Sequence, residues 1–135
     1  MFLRRLSNEQ KGLFLELALK AAEANHVIEE SEKVLLIAYA DEMGIEPIEY
    51  SSTELLKIIT DMKRISSQKE LKQMMVEIVA MTMSDLSYDE EERKFIDNLS
   101  AQWGISRDTV EKMSDCVNEY MNIINKMNAL VDLEN

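Results

Sequence analysis

A chain of 135 residues has room for one core, since a domain of this size buries roughly two-thirds of the surface that its unfolded chain exposes. Fifteen Lys and Arg stand against 26 Asp and Glu, a formal net charge of −11 that repels phosphate backbones and anionic headgroups, so neither nucleic acid nor a membrane is expected as a partner. Three glycines and one proline leave few of the turns that sheets need, and the composition predicts helices on short connections.

The opening Met1-Phe2-Leu3-Arg4-Arg5-Leu6 has no long apolar stretch behind its charges and no small-residue cleavage site, unlike a secretory signal. The longest apolar run, 34–40, falls far short of the roughly 20 residues that a spanning helix needs. A lone Cys116 cannot close an internal disulfide, which agrees with a reducing compartment. The expected location is the cytoplasm.

Helix starts follow from side-chain oxygens placed to accept orphan amide protons, with Glu or Gln three positions on. Ser7 with Gln10 predicts a helix to about residue 25, and a second runs from the acidic segment 29–32 to a stop at Gly44. Pro47 keeps the next segment out of helix. Ser51 with Glu54 predicts a third helix to about residue 64, Ser67 with Glu70 a fourth to about 84, and Asp89 with Glu92 a fifth that ends before Gly104. The last runs from Ser106 to about 133. Gly44 and Gly104 stand where a left-handed cap would end the helix before them.

Sliding the chain sixty positions along itself exposes an internal repeat, roughly 8–45 against 68–105. Leu35 meets Phe95, Leu36 meets Ile96, Tyr39 meets Leu99, and Met43-Gly44-Ile45 meets Trp103-Gly104-Ile105. Each copy is an apolar helix, an acidic turn, a second helix and a glycine stop. Two helix pairs that cannot bury their own apolar faces bury them against each other.

This unit resembles the tellurite-resistance protein B (TerB-like) family, over most of the chain. The family turn reads roughly Ala-Asp-Gly-x-Ile-Ser-x-x-Glu, and here it stands as Ala24-Asn25-His26-Val27-Ile28-Glu29-Glu30-Ser31-Glu32 and Ser84-Asp85-Leu86-Ser87-Tyr88-Asp89-Glu90-Glu91-Glu92. Phe2, Leu3 and Leu6, with the segment 11–19, also look like the start of small bacterial TerB-like proteins. The resemblance implies an all-helical fold, a bacterial or phage origin, a link to tellurite and stress operons, and either metal binding or scaffolding. The turn departs from the family pattern at its glycine, which is His26 in one copy and Leu86 in the other, and at Asn25, so that only Asp85 keeps the aspartate. Side chains at those glycine positions disfavour the left-handed backbone that glycine takes freely.

Asp85, Ser87 and Asp89 place oxygens at alternate positions, with Glu92 a turn further on, a set that suits a hard divalent cation. A full EF-hand loop is absent, because its sixth and twelfth positions are Glu90 and Ile96. Capping by Asp89 and the preference of a helix N-terminus for anions account for the same residues. A weak cation site is therefore the alternative, and no other cofactor is expected. Met74, Met75, Met81 and Met83, with Met113, Met121 and Met127 on the last helix, could serve soft ions, but their helical spacing is that of core packing. His26 is the sole histidine and Cys116 has no histidine near it in sequence, so no nucleophilic triad can be assembled and the thiol is expected to be buried and inert. An enzyme is not expected.

Two apolar stripes bear on partners. Val34, Ile37 and Ala38 share a face of the second helix, whereas their repeat mates are Lys94, Asp97 and Asn98, so the first copy is apolar where the second is wet. The last helix or the segment near Pro47 is expected to cover that face, with a homodimer or partner helix as the alternative. Val110, Met113, Val117, Tyr120, Ile124, Met127 and Val131 recur at spacings of three and four, as in a coiled-coil seam or a helix lying across a core, the second being expected. Lys57, Lys63, Arg64, Lys69 and Lys72 form a local basic run that a solvated face explains.

The expected protein is thus a single all-α domain of six to seven helices, two helix-pair repeats and a long C-terminal helix. Its expected function is a non-enzymatic interaction or scaffold module. The expected surface is Glu29, Glu30, Glu32, Val34, Ile37, Glu90 and Glu91, facing a protein partner or a second copy.

Overall fold

The computed structural model describes residues 1–24, 28–84 and 89–134, and within them the chain forms six α-helices and no strand. They are α1 (Asn8–Ala22), α2 (Glu30–Met43), α3 (Leu55–Ile65), α4 (Gln68–Thr82), α5 (Glu90–Trp103) and α6 (Arg107–Val131). The sixty-residue offset holds to the residue: α4 has the bounds of α1, and α5 those of α2, each moved by that offset.

Local chemistry explains the matching ends. Ser7 Oγ accepts the Gln10 amide at 3.1 Å while Gln10 Oε1 accepts the Ser7 amide at 2.9 Å, and Ser67 with Glu70 repeats the exchange at 3.1 and 2.8 Å. Asp89 Oδ1 accepts the Glu92 amide at 2.8 Å, and Glu32 Oε1 reaches back to the Glu29 amide at 3.0 Å. Both second helices close on a left-handed glycine, Gly44 at φ 69° and Gly104 at φ 70°.

Burial follows the same offset. Phe14, Leu15, Leu17, Ala18, Leu19, Ala21 and Ala22 are buried in α1, and each has a buried mate in α4, from Met74 to Thr82. Within each half the third helix joins the first: α3 packs on α1, and α6 packs on α4. The halves meet in one cluster of buried apolar residues. Phe14 and Tyr39 stack edge to face with centroids 5.4 Å apart, and the Tyr39 hydroxyl donates to the Glu77 carbonyl at 2.8 Å, which bridges the copies. Burial pushes the ionisation of that hydroxyl above its ordinary range, with the charges of Glu77 and Glu42 adding to it, so it stays a donor.

Three expectations are corrected. Ser51 does not cap α3: its Oγ donates to Glu16 Oε1 at 2.9 Å, Thr53 Oγ1 donates to the same oxygen at 3.0 Å, and the helix starts one residue past Glu54. The serine is committed to tying its segment onto α1, from which Lys20 Nζ also donates to the Ser51 carbonyl at 3.0 Å. Neither α6 nor the segment near Pro47 covers the apolar face of α2. That face stays open, since α6 lies along α4 and α5. Cys116 is exposed rather than buried, because the buried side of that part of α6 runs through Val110 and Val117.

Candidate functional site

The acidic ends of α2 and α5 divide into exposed and buried carboxylates. Glu29, Glu30, Glu90 and Glu91 face solvent. Lys94 approaches Glu90 at 3.8 Å and Glu91 at 3.5 Å, exposed pairs that hold little energy and leave the negative character largely in place. Glu32, expected on this surface, is buried instead, at 1% exposure, because it turns back on its own helix end. Glu92, its repeat mate, is buried to the same degree.

Of the four residues expected to hold a cation, Asp85 and Ser87 lie outside the described residues, as do Asn25, His26, Leu86 and Tyr88. Asp89 caps α5 through the Glu92 amide. Among the described residues no group of three His, Cys, Asp or Glu side chains is placed to hold a metal ion.

The α2 face is open. Val34 is 58% and Ile37 53% exposed, Ala38 is exposed beside them, and Glu30, Lys33 and Asp41 complete the outward side. On α5 the mates Lys94, Asp97 and Asn98 are also exposed, but polar. Water therefore meets aliphatic carbon on one copy and charge on the other, at positions the repeat makes equivalent.

A shallow cleft of about 610 Å³ lies between α5 and the start of α6, where Arg93, Asp97, Arg107, Glu111 and Asp115 line its rim and Met83 and Val110 its floor. Arg107 pairs with Asp97 across it at 3.8 Å. Sequence reasoning missed this cleft, since no spacing links α5 to α6 through charges ten or more residues apart. A smaller groove of about 490 Å³ is lined by Phe2, Lys69, Lys72, Val76 and Met113, so two lysines of the basic run border apolar surface. Two more of the run are engaged within the chain: Lys57 reaches Asp61 at 2.7 Å, and Arg64 lies 4.0 Å from the same carboxylate. The Lys57 hydrogen bond, with the charges of Lys57 and Arg64, holds the Asp61 carboxyl below its ordinary range.

The N-terminal segment is held by two carboxylates from different copies. Glu42 Oε2 accepts the Leu3 amide at 2.7 Å and Glu77 Oε1 accepts the Phe2 amide at 3.1 Å, while the Met1 ammonium bonds to both side chains. Leu3 is thereby fixed in the core with no exposed surface. Met62, Met74, Met75 and Met81 are likewise wholly buried, as core packing requires, and Met83 is nearly so.

Paired repeats, glycine stops and a third helix on each half define an all-helical duplicated architecture with most of its charge outside. No family model matches the chain, and no curated protein matches it. The fold is that of a tellurite resistance protein from Nostoc punctiforme, whose crystal structure superposes with a TM-score of 0.73 over 96% of this chain and 84% of that one, at 15% identity. The TerB-like architecture expected from the sequence is the one adopted, and at that identity the likeness is one of fold. No described helix is long and apolar enough to cross a membrane.

Proposed function

We propose that the chain is a non-enzymatic interaction module of the cytoplasm, serving tellurite or stress resistance as the fold of its structural neighbour suggests, and that α2 presents its docking ridge. The open face at Val34, Ile37 and Ala38 carries the proposal, because the repeat mates are polar and the chain's own helices leave the ridge uncovered. Acidic residues stand at both ends of the ridge, Glu29 and Glu30 at one and Asp41 at the other, on a chain of net charge −11. The complementary partner is an amphipathic helix with an apolar stripe flanked by Lys or Arg, and charge attraction would speed the encounter. Glu90 and Glu91 add to the exposed acidic residues at the start of α5.

The test uses Val34→Glu and Ile37→Glu as probes. Both side chains are exposed, so each variant should melt within a few degrees of the parent, since surface substitutions change stability by about 0.5 kcal/mol or less. Binding of a basic amphipathic peptide, followed by tryptophan-independent fluorescence anisotropy, should weaken at least tenfold in each. Equal affinity for parent and variants would overturn the ridge as the docking site.

A further inference from the structure

The second half of α6 leaves the core. Val110 and Val117 are buried, Met113, Met121 and Ile124 are half-buried, and every described residue after Ile124 is exposed. An apolar stripe continues there nonetheless: Tyr120 is 57% exposed, Ile123 54%, Met127 48% and Leu130 67%. These four alternate spacings of three and four, the pattern of positions a and d in a coiled coil, with Cys116 one step before them. A helix lying on its own core would have shown that stripe buried.

We propose that this stripe binds a second copy of the chain as an antiparallel α6 pair. Two observations select that occupant. Within 116–131 the only charged residues are Glu119 and Lys126, so this segment is neutral in a chain of net charge −11, and two copies can meet there without bringing their acidic surfaces together. A basic partner, which the rest of the surface would attract, gains nothing from it. Glu119 and Lys126 also lie one heptad apart, both at the position before a seam residue, Tyr120 or Met127. Such flanking positions face each other in an antiparallel pair, so Glu119 of one copy meets Lys126 of the other, and the two-fold axis makes the contact twice. A parallel pair sets these residues opposite Ile124 and Val131 and makes no ion pair. Both side chains are exposed, and neither forms an ion pair within the chain among the described residues. In the antiparallel register Tyr120 packs on Ile123 of the other copy, and Met127 on Cys116.

The experiment is sedimentation equilibrium on the full chain and on E119K, K126E and the double swap E119K/K126E, with helicity checked by circular dichroism. The parent should approach twice the 15.6 kDa chain mass as concentration rises. Each single change turns both ion pairs into like-charge contacts and should raise the dissociation constant roughly tenfold or more. The double swap recreates the pairs in reverse and should restore the parent's constant. A parent that stays at the chain mass, single variants that dimerise as the parent does, or a double swap no better than the singles would each overturn the antiparallel pair. Ile37→Glu should leave the mass unchanged, which separates this surface from the α2 ridge.

Discussion

Trp103 Nε1 donates to the carbonyl of Ile59 at 3.1 Å, a buried hydrogen bond that ties the last residue of α5 to the middle of α3. Trp103 is the repeat mate of Met43, so the second copy holds an indole where the first holds a thioether, and that exchange lets the halves bond through α3. Trp103→Phe removes the donor and leaves a gap beside Ile59. The expected loss is about 1–3 kcal/mol of unfolding free energy in urea titrations, and a loss under 0.5 kcal/mol would show that the bond contributes little.

Gly44 and Gly104 have positive φ, and nothing lies within 4 Å of where a Cβ would stand at either, so alanine there meets no clash, only backbone strain. Gly44→Ala and Gly104→Ala should each cost about 1–2 kcal/mol. Gly12 is equally open but helical, and Gly12→Ala should stabilise by roughly 0.5–1 kcal/mol. Thermal melts of the three variants decide it by sign: glycine is conformationally required at the two stops and dispensable in α1.

Acid should release the N-terminal segment. Burial works to raise the Glu42 carboxyl, but bonds from the Met1 ammonium and the Leu3 amide, with the charges of Met1 and Arg4, outweigh it and hold the group below its ordinary 4.5. Burial likewise works to lower the Met1 ammonium, and its bonds to Glu42 and Glu77 outweigh that and raise it above its ordinary 8.0. A lowered acid contributes its stability above the unfolded value and loses it as pH falls through the folded one. A raised base contributes below its unfolded value and loses it as pH rises through the folded one. The clamp is therefore complete between about pH 4.5 and 8.0 and should weaken on both sides. Glu42→Gln should flatten both flanks of the stability profile, and a profile identical to the parent's would contradict the assignment.

Asp89→Ala removes the cap of α5 and should cost about 1 kcal/mol. Repeating the melt with calcium, magnesium, manganese and zinc separates capping from cation binding. If capping is its whole role, parent and variant differ by the same amount in every buffer. A concentration-dependent rise in the parent that the variant lacks would give the acidic turn a ligand.

Where local chemistry decides with no competing choice, the sequence was legible. Ser7, Ser67 and Asp89 cap as expected, both glycine stops take the left-handed backbone, and the sixty-residue offset reproduces itself in bounds and burial. Legibility failed where a residue had a choice of partners, near or distant. Ser51 has the capping pattern, yet Glu16 on another helix claims its hydroxyl. Glu32 looks like one more surface acid, but its return to the Glu29 amide buries it. On α6 the spacing pointed to a stripe through Ile124 and Val131 lying on the core, whereas the exposed stripe runs through Ile123 and Leu130; where the core ends beneath the helix depends on how far α4 reaches, which no spacing records. On α2 the contrast between Val34 and Lys94 was apparent from the repeat alone, and only the path of α6 shows that no described helix covers it.

The methionines give the core a chemical clock. Met62, Met74, Met75 and Met81 have no exposed surface, whereas Met1 is 76% and Met127 48% exposed. A sulfoxide is polar and cannot re-enter the sites those four side chains vacate. Peroxide would thus mark the outer thioethers at once and reach the inner ones only during an opening, after which the molecule could not close again. In an oxidising cell each excursion from the folded state would leave a trace that lasts until a reductase removes it, and the lifetime of the protein would depend on how seldom it opens.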